Sequence, residues 1–284
     1  MYLPQEIEKA KVLVTVKAYP KPSGKYQELV CTAGLYEGGP WIRIYPVSYR
    51  FLTGDQQYPK YSWVTVDLVR NMKDFRPESY RPRLGLDEVF HNEGKLATKS
   101  AWAARKSYVL KEIFHSMTDL IDLAKSNECK SLATLKPMEI TGFDIEQTSR
   151  DWKESWQNHL KQASFADLSS MGEAEQREII DKVPFDYYYK FLAEGDHKPR
   201  RLKIEDWEIG ALFWKCLRRA DGDEDAANKL VRAKYLDEFV EKKDLYFFVG
   251  TTQQYHRIAP NPFMIIGVFY PPKSDQPLLF NASA

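Results

Sequence analysis

Residues 28–50 read ELVCTAGLYEGGPWIRIYPVSYR, which is two alternating apolar runs joined by a Gly-Gly-Pro turn. This pattern predicts a β-hairpin, because successive side chains of a strand point to opposite faces. In the second run the isoleucines fall on one face, and Trp41, Arg43 and Tyr45 fall on the other. One face therefore requires a core, while the other offers a cation between two rings, a surface for a ligand with flat rings and negative charge.

The composition predicts a soluble protein without a strong overall field. Of the 284 residues, 43% are hydrophobic and 29% are charged. Lys and Arg number 41 against 40 Asp and Glu, so the formal net charge is only +1. Any attraction to nucleic acid or an anionic surface must therefore come from a local patch.

The cysteines, the first residues and the apolar stretches of the sequence indicate a cytoplasmic protein. The three cysteines, Cys31, Cys129 and Cys216, are far apart and lack CxxC spacing, which is typical of reduced thiols and not of a disulfide framework or a zinc site. The start, MYLPQEIEKAK, has early acidic residues and no apolar core segment, unlike a signal peptide. No stretch approaches the ~20 apolar residues that span a bilayer. We therefore expect a cytoplasmic protein with no membrane partner.

The hydrophobic periodicity predicts an α+β fold with two small OB-like β-barrel lobes joined by a helical bridge. The first lobe comprises residues 1–95, with predicted strands at 12–18, 29–36, 41–45 and 63–70. Its fifth strand is not evident, and residues 71–83 are predicted to be a basic irregular loop. A helical pattern over 97–127, with a break near His115-Ser116, places the bridge at residues 96–130.

The second predicted lobe comprises residues 131–284. Its predicted strands are 138–148, 185–192, 201–204, 245–251 and 263–270. Predicted helices are 150–162, a short one within 164–176, 206–219 and 224–241. A helix between the third and fourth of five strands is the OB-type arrangement, a Greek-key barrel whose open face commonly takes oligonucleotides.

Three short strings resemble the bacterial proteins with a dual OB domain. They are VCTAGL at 30–35, WIRIYPV at 41–47 and LATLKP at 132–137. The resemblance implies OB barrels and a module that binds or senses nucleic acid in bacterial defence or mobile-element settings. It implies no assigned catalytic activity.

A cationic and aromatic surface is the first candidate site. Aromatic side chains stack bases, each stack contributing ~1–3 kcal/mol, while Lys and Arg contact phosphates. The candidate ligand-binding residues are Lys17, Tyr19, Lys25, Trp41, Arg43, Tyr45, Arg50 and, from the basic loop, Arg76. The alternative is packing, with Trp41 and Tyr45 covering a core and Arg43 paired with a carboxylate such as Glu28.

The candidate catalytic residues are Asp206, Glu208 and His256. Paired carboxylates can hold a divalent cation for phosphodiester cleavage, and His256 follows a glycine turn that could line a phosphate pocket. The alternative for the carboxylates is helix capping, with Asp206 at the N-cap and Glu208 in the first turn. The alternative for His256 is an ordinary polar turn. The five histidines lack metal-site spacing, so no resident metal is expected.

These patterns favour a protein that binds or senses nucleic acid or a nucleotide, with single-stranded or modified nucleic acid as the ligand and no cofactor. The alternative is a metal-dependent hydrolase acting on nucleic acid or nucleotides, for which Mg²⁺ would be the cofactor. A further alternative is a protein-interaction component, which the helical bridge and the near-neutral charge would suit.

Overall fold

The structure is a computed structural model that describes residues 3–23, 27–152 and 180–273. Lys25 lies outside the described residues, as do the short helix predicted within 164–176 and most of the helix predicted over 150–162.

A closed five-stranded barrel occupies the first part of the chain. The strands are β1 (Glu6–Lys17), β2 (Lys21–Ser23), β3 (Gln27–Tyr36), β4 (Trp41–Val47), β5 (Ser62–Arg70), β6 (Ser79–Pro82) and β7 (His91–Lys95). Around the barrel the order is β1-β3-β4-β6-β5, and β5 returns to pair with β1. Only β4 and β6 are parallel neighbours in this ring. Numbered along the chain, the strands run 1-2-3-5-4, which is the order of an OB-type Greek-key barrel.

The alternation predicted for the hairpin is confirmed. Ile42 and Ile44 point into the barrel, where they pack with valines of β1 and β5 and are almost completely buried. The outer face of the same strand carries Trp41, Arg43 and Tyr45. A period of two thus sends the isoleucines into a core and leaves the arginine and the two rings on the other face.

The prediction of an irregular loop over 71–83 is wrong at its end, because Ser79–Pro82 forms β6. This strand lies between β4 and β5, and its Tyr80 is fully buried in the barrel. The string SYRP shows no apolar alternation, and it becomes a strand because the edges of two longer strands meet it on both sides. Pro82 is tolerated at its end, where a missing N–H disrupts little of the ladder.

Two helices follow the barrel, α1 (Lys99–Val109) and α2 (Met117–Lys125). They confirm the helical pattern and its break, since the Ser116 hydroxyl accepts the Asp119 N–H at 3.1 Å and caps α2. Among the described residues, no helix has the length and apolar character needed to cross a membrane.

The C-terminal part, residues 113–273, contains two three-stranded antiparallel sheets, β11-β10-β9 and β13-β12-β8. The elements are β8 (Leu132–Leu135), β9 (Glu139–Gln147), β10 (Phe185–Leu192), β11 (Arg200–Lys203), α3 (Trp207–Arg219), α4 (Glu224–Arg232), α5 (Phe239–Lys242), β12 (Tyr246–Thr251) and β13 (Phe263–Phe269). A parallel bridge from Ile204 to Ile265 links the sheets, and the helices lie between β11 and β12. The strand predicted at 138–148 is confirmed as β9, whereas β8, which precedes Pro137, was not predicted. The OB-type barrel predicted for residues 131–284 is not confirmed, because the described strands of this part form two three-stranded sheets.

An apolar cluster joins the barrel to the C-terminal part. Leu13 and Leu35 on the outside of the barrel pack with Phe248 and Phe269 of β12 and β13. Trp41 meets Phe248 edge to face, with ring centroids 5.5 Å apart. Both faces of β1 and β3 are therefore buried over part of their length, and the two parts meet along a packed interface.

Candidate functional site

A cleft of about 980 Å³ opens beside this interface. One wall is the outer face of β3 and β4, flanked by residues 18–21 after β1 and by residues 70–76 after β5. The opposite wall comes from residues 250–253 and from β13. In OB barrels, the face of the second and third strands, together with the loops after the first and fourth, takes oligonucleotides. The cleft occupies the corresponding face of this barrel.

The cleft carries an excess of positive charge. Its cationic lining residues are Lys21, Arg43, Arg70, Lys73, Arg76 and Arg81. The two carboxylates in the lining are both engaged: Asp74 with Arg76 at 2.5 Å, and Glu205 with Lys203 at 2.7 Å. The lining therefore has six cations against two paired carboxylates. Because the net charge of the whole chain is only +1, attraction of a polyanion would depend on a local patch of this kind.

Three of these cations have no carboxylate within 4 Å among the described residues. Arg70 donates to backbone carbonyls, including Ser79 O at 3.3 Å. Arg81 is exposed and reaches only the carbonyls of Pro82 and Arg83, each at 3.5 Å. The Lys73 side chain is exposed at the rim. These three side chains are available to an anionic ligand.

Arg43 is held in the floor of the cleft. It is 4% exposed, and its Nη1 donates to Ser131 Oγ at 2.9 Å and to Glu78 Oε1 at 3.2 Å. Its carboxylate partner is therefore Glu78, whereas Glu28, the partner suggested from the sequence, pairs with Arg50 at 2.5 Å. Arg43 thus ties the barrel to the C-terminal part, and its charge is compensated by Glu78.

Arg76 is fixed in the same floor. Its Nε donates to Asp74 Oδ1 at 2.9 Å, and its Nη1 donates to the Thr251 carbonyl across the interface. Ser79 Oγ also donates to Asp74, at 2.6 Å. Burial raises the pKa of Asp74, but the hydrogen bonds from Arg76 and Ser79 outweigh it and lower that pKa to about 2.

Tyr45 is the aromatic side chain of the cleft that is open to a ligand, being 42% exposed. Tyr19 also lines the cleft, but its hydroxyl accepts from Trp214 Nε1 at 2.9 Å and donates to Asp181 O at 2.7 Å. Burial raises the pKa of Tyr19 to about 12. Tyr45 therefore offers a stacking face, and Tyr19 is a fixed part of the wall.

The structure brings only some residues of the predicted cationic and aromatic surface into the cleft. Tyr19, Arg43, Tyr45 and Arg76 line the cleft. The other described candidates lie elsewhere: Lys17 in a separate pocket, Trp41 against Phe248, and Arg50 on Glu28.

Lys21 and Arg70 were not singled out in the sequence. They belong to short or terminal strand segments with no pattern that distinguishes them from a solvated surface.

The sequence comparisons divide the chain where α1 ends. Residues 113–284, more than half of the chain, match the family described as Domain of unknown function (DUF8757). The chain belongs to this family. Residues 8–111 match a second family, described as Domain of unknown function (DUF8758), and these contain the barrel. No curated protein matches the chain. The C-terminal part is therefore the DUF8757 domain, and the cleft lies between it and the barrel.

Asp206 begins α3 of the DUF8757 domain and is the N-cap expected from the sequence. Its Oδ1 accepts the Glu208 N–H at 3.2 Å. Lys60 of the barrel lies 3.0 and 2.9 Å from the two Asp206 oxygens and 3.1 Å from Glu208. Burial disfavours the Lys60 charge, but the two carboxylates outweigh it and raise the Lys60 pKa.

An ammonium group therefore occupies the position where a cation between these carboxylates would bind. Within the described ranges, no three His, Cys, Asp or Glu side chains are grouped to hold a metal ion.

His256 is fully buried behind the cleft wall. Its Nε2 lies 2.8 Å from Ala124 O, and its Nδ1 lies 2.7 Å from Thr251 Oγ1. A carbonyl only accepts, so Nε2 carries the proton and Nδ1 accepts from the Thr251 hydroxyl. Cys129 Sγ is 3.3 Å from the protonated Nε2, and burial raises the pKa of that thiol. This tautomer cannot take a proton from Cys129, so the contact is structural.

Proposed function

We propose that the cleft binds single-stranded nucleic acid. The observation that carries the proposal is the set of six cations that line the cleft, against two paired carboxylates, beside the exposed ring of Tyr45 on β4. Proteins that hold single strands combine a positively charged groove with aromatic side chains on which bases stack.

We assign a different contact with the strand to each group of side chains. Lys73, Arg70 and Arg81 contact phosphates, because they have no carboxylate partner among the described residues. Tyr45 stacks a base. Arg43 and Arg76 stay paired with Glu78 and Asp74 and hold the floor of the cleft in place. The defence or mobile-element setting implied by the resemblance to dual OB proteins is part of this proposal, with the bound strand as the sensed ligand.

Three contacts favour binding over catalysis. Asp206 and Glu208 both bind Lys60, and His256 donates a hydrogen bond to Ala124 O. The hydrolase alternative requires these three side chains to coordinate a cation or to accept a proton, and each is engaged in a different role.

The test is fluorescence anisotropy with short labelled single-stranded DNA and RNA at low salt. We expect Tyr45→Ala to weaken binding by roughly 5- to 150-fold, since a stacked base contributes ~1–3 kcal/mol. Tyr45→Phe keeps the ring and should bind like the parent. Tyr188→Ala, on β10 outside the cleft lining, is the matched control and should also bind like the parent. Undetectable binding of the parent, or parental affinity in Tyr45→Ala, refutes the proposal.

A further inference from the structure

A second pocket, of about 360 Å³, lies between the barrel and the DUF8757 domain. It shares no lining residue with the cleft. The barrel contributes the end of β1 and residues 59–61, and the segment through α1 contributes residues between 95 and 105. The DUF8757 domain contributes the first turn of α3 and Tyr270. The pocket is therefore formed only when both parts are packed together.

Cations also outnumber carboxylates in this pocket. Four cationic side chains line it, Lys17, Lys60, Lys95 and Arg105, against the single carboxylate of Glu208. Glu208 and the buried Asp206 both pair with Lys60. Lys17, Lys95 and Arg105 therefore have no carboxylate within 4 Å in the part of the chain that the structure describes.

Arg105 is the most deeply buried of these three, at 5% exposed. Its Nε and Nη2 both donate to Leu96 O, at 3.1 and 2.8 Å, which leaves Nη1 without a hydrogen bond to any described residue. The guanidinium lies 4.3 Å from the Tyr61 ring centroid and 4.9 Å from that of Trp102. Burying this charge against one neutral carbonyl is costly, and an anion in the pocket would offset that cost.

Lys17 has a similar environment. Its Nζ donates to Tyr58 O at 3.0 Å and lies 3.9 Å from the Tyr49 ring centroid. An ammonium has three donors, so this contact leaves two for a ligand. Burial and the nearby Lys60 lower the pKa of Lys17 to about 8, which is the effect expected of a partly buried cation without an anionic partner.

The remaining wall is aromatic. Tyr61, Trp102, Trp207 and Tyr270 all line the pocket. Small-molecule sites typically enclose ~300–1,000 Å³, with mostly apolar or aromatic walls and a few convergent polar groups. This pocket has such a volume and an aromatic wall, and four of its five charged side chains are cations.

We propose that this pocket binds a small phosphorylated ligand with a flat ring, of the mononucleotide class. Arg105, Lys17 and Lys95 meet the phosphate, and the aromatic wall meets the ring. The volume suits one nucleotide, whereas a longer strand requires the larger cleft. The site is independent of the proposed function, because the two lining sets do not overlap.

The test is isothermal titration calorimetry of the full chain with ribonucleoside monophosphates, with a free nucleoside and with inorganic phosphate. We expect a monophosphate to bind more tightly than either of its halves. We expect at least a fivefold loss in Lys95→Ala and a larger loss in Lys17→Gln and Arg105→Gln. Lys99→Ala, exposed on α1 outside the pocket lining, is the matched control and should bind like the parent.

Variants of the two sites distinguish binding in this pocket from binding in the cleft. Lys73→Ala alters the cleft only, so it should leave monophosphate binding unchanged. If Arg105→Gln does not fold, Lys95→Ala and Lys17→Gln still decide the question. The proposal is refuted if no monophosphate binds, if both lysine variants bind like the parent, or if Lys73→Ala abolishes binding. Inorganic phosphate binding as tightly as the monophosphates would refute the role of the ring.

Discussion

Lys60 and Asp206 form a buried ion pair of 2.9 Å between residues 146 positions apart in the chain. Lys60 precedes β5 of the barrel, and Asp206 begins α3 of the DUF8757 domain. Both side chains are almost fully shielded from solvent. The pair therefore joins the two parts at the back of the second pocket, and its loss should lower the free energy of unfolding.

Asp206→Ala should lower the free energy of unfolding by roughly 3–5 kcal/mol, because it leaves Lys60 buried with only the half-exposed Glu208. Asp206→Asn retains a good N-cap and should lose almost as much, since a missing cap alone costs ~1 kcal/mol. The double variant Lys60→Met, Asp206→Asn should lose less than Asp206→Asn. Urea denaturation measures all three, and full stability in Asp206→Asn would contradict a role for the pair.

Gly210→Ala should destabilise the protein by roughly 1–3 kcal/mol, although alanine normally favours a helix. A Cβ at this position of α3 would overlap the Tyr19 ring, which is held by hydrogen bonds to Trp214 and Asp181. In a Tyr19→Ala background the same substitution should be neutral or stabilising. A thermal double-mutant cycle tests this, and equal effects in both backgrounds would disprove the overlap.

The affinity of the cleft for a single strand should fall steeply with salt. For single strands, each neutralised phosphate contributes about −0.7 to the slope of log K against log salt. Lys73→Ala and Arg81→Ala should each reduce the magnitude of the slope by about that amount. Lys198→Ala, an exposed lysine outside the cleft lining, should leave the slope unchanged. Anisotropy titrations across a salt series measure the slopes, and identical slopes in all variants would exclude Lys73 and Arg81 as phosphate contacts.

Asp74 should make the protein sensitive to acid. Its pKa is lowered from 3.8 to about 2 in the folded state, so its contribution is fully present above pH 4. That contribution is lost as the pH falls through 2, and it amounts to about 2 kcal/mol, since one pKa unit corresponds to ~1.4 kcal/mol. Asp74→Asn should therefore show a shallower loss of stability between pH 4 and 2. Parallel curves in denaturant titrations of parent and variant would contradict this.

Phosphate binding in the second pocket should weaken as the pH rises through about 8, the pKa of Lys17. Above that value Lys17 is neutral in the free protein, whereas a phosphate monoester, with a second pKa of ~6, is already fully charged. The charged groups that act on Lys17 are Lys60, Glu208, Asp206 and Lys95. Lys17→Gln should lose this pH dependence, and calorimetry between pH 7 and 9 compares the two. An unchanged profile in Lys17→Gln would assign the effect to another group.

Local periodicity predicted most of the secondary structure. The burial of Ile42 and Ile44 follows from alternation alone, and the Asp206 N-cap follows from its place before an amphipathic run. The four-residue β6 was missed because its own sequence shows no apolar alternation and its pairing comes from β4 and β5. The site was only partly predicted, because the positions of charged residues in the sequence do not reveal which residues they pair with.

The sequence by itself determined which face of β4 carries Trp41, Arg43 and Tyr45, because side-chain direction in a strand is a local property. Only the tertiary structure decided their separate fates: Trp41 packs on Phe248, Arg43 is held by Glu78 and Ser131, and Tyr45 stays open to the cleft. The partners of the first two lie far away in sequence, and they reach these residues only when the DUF8757 domain packs against the barrel.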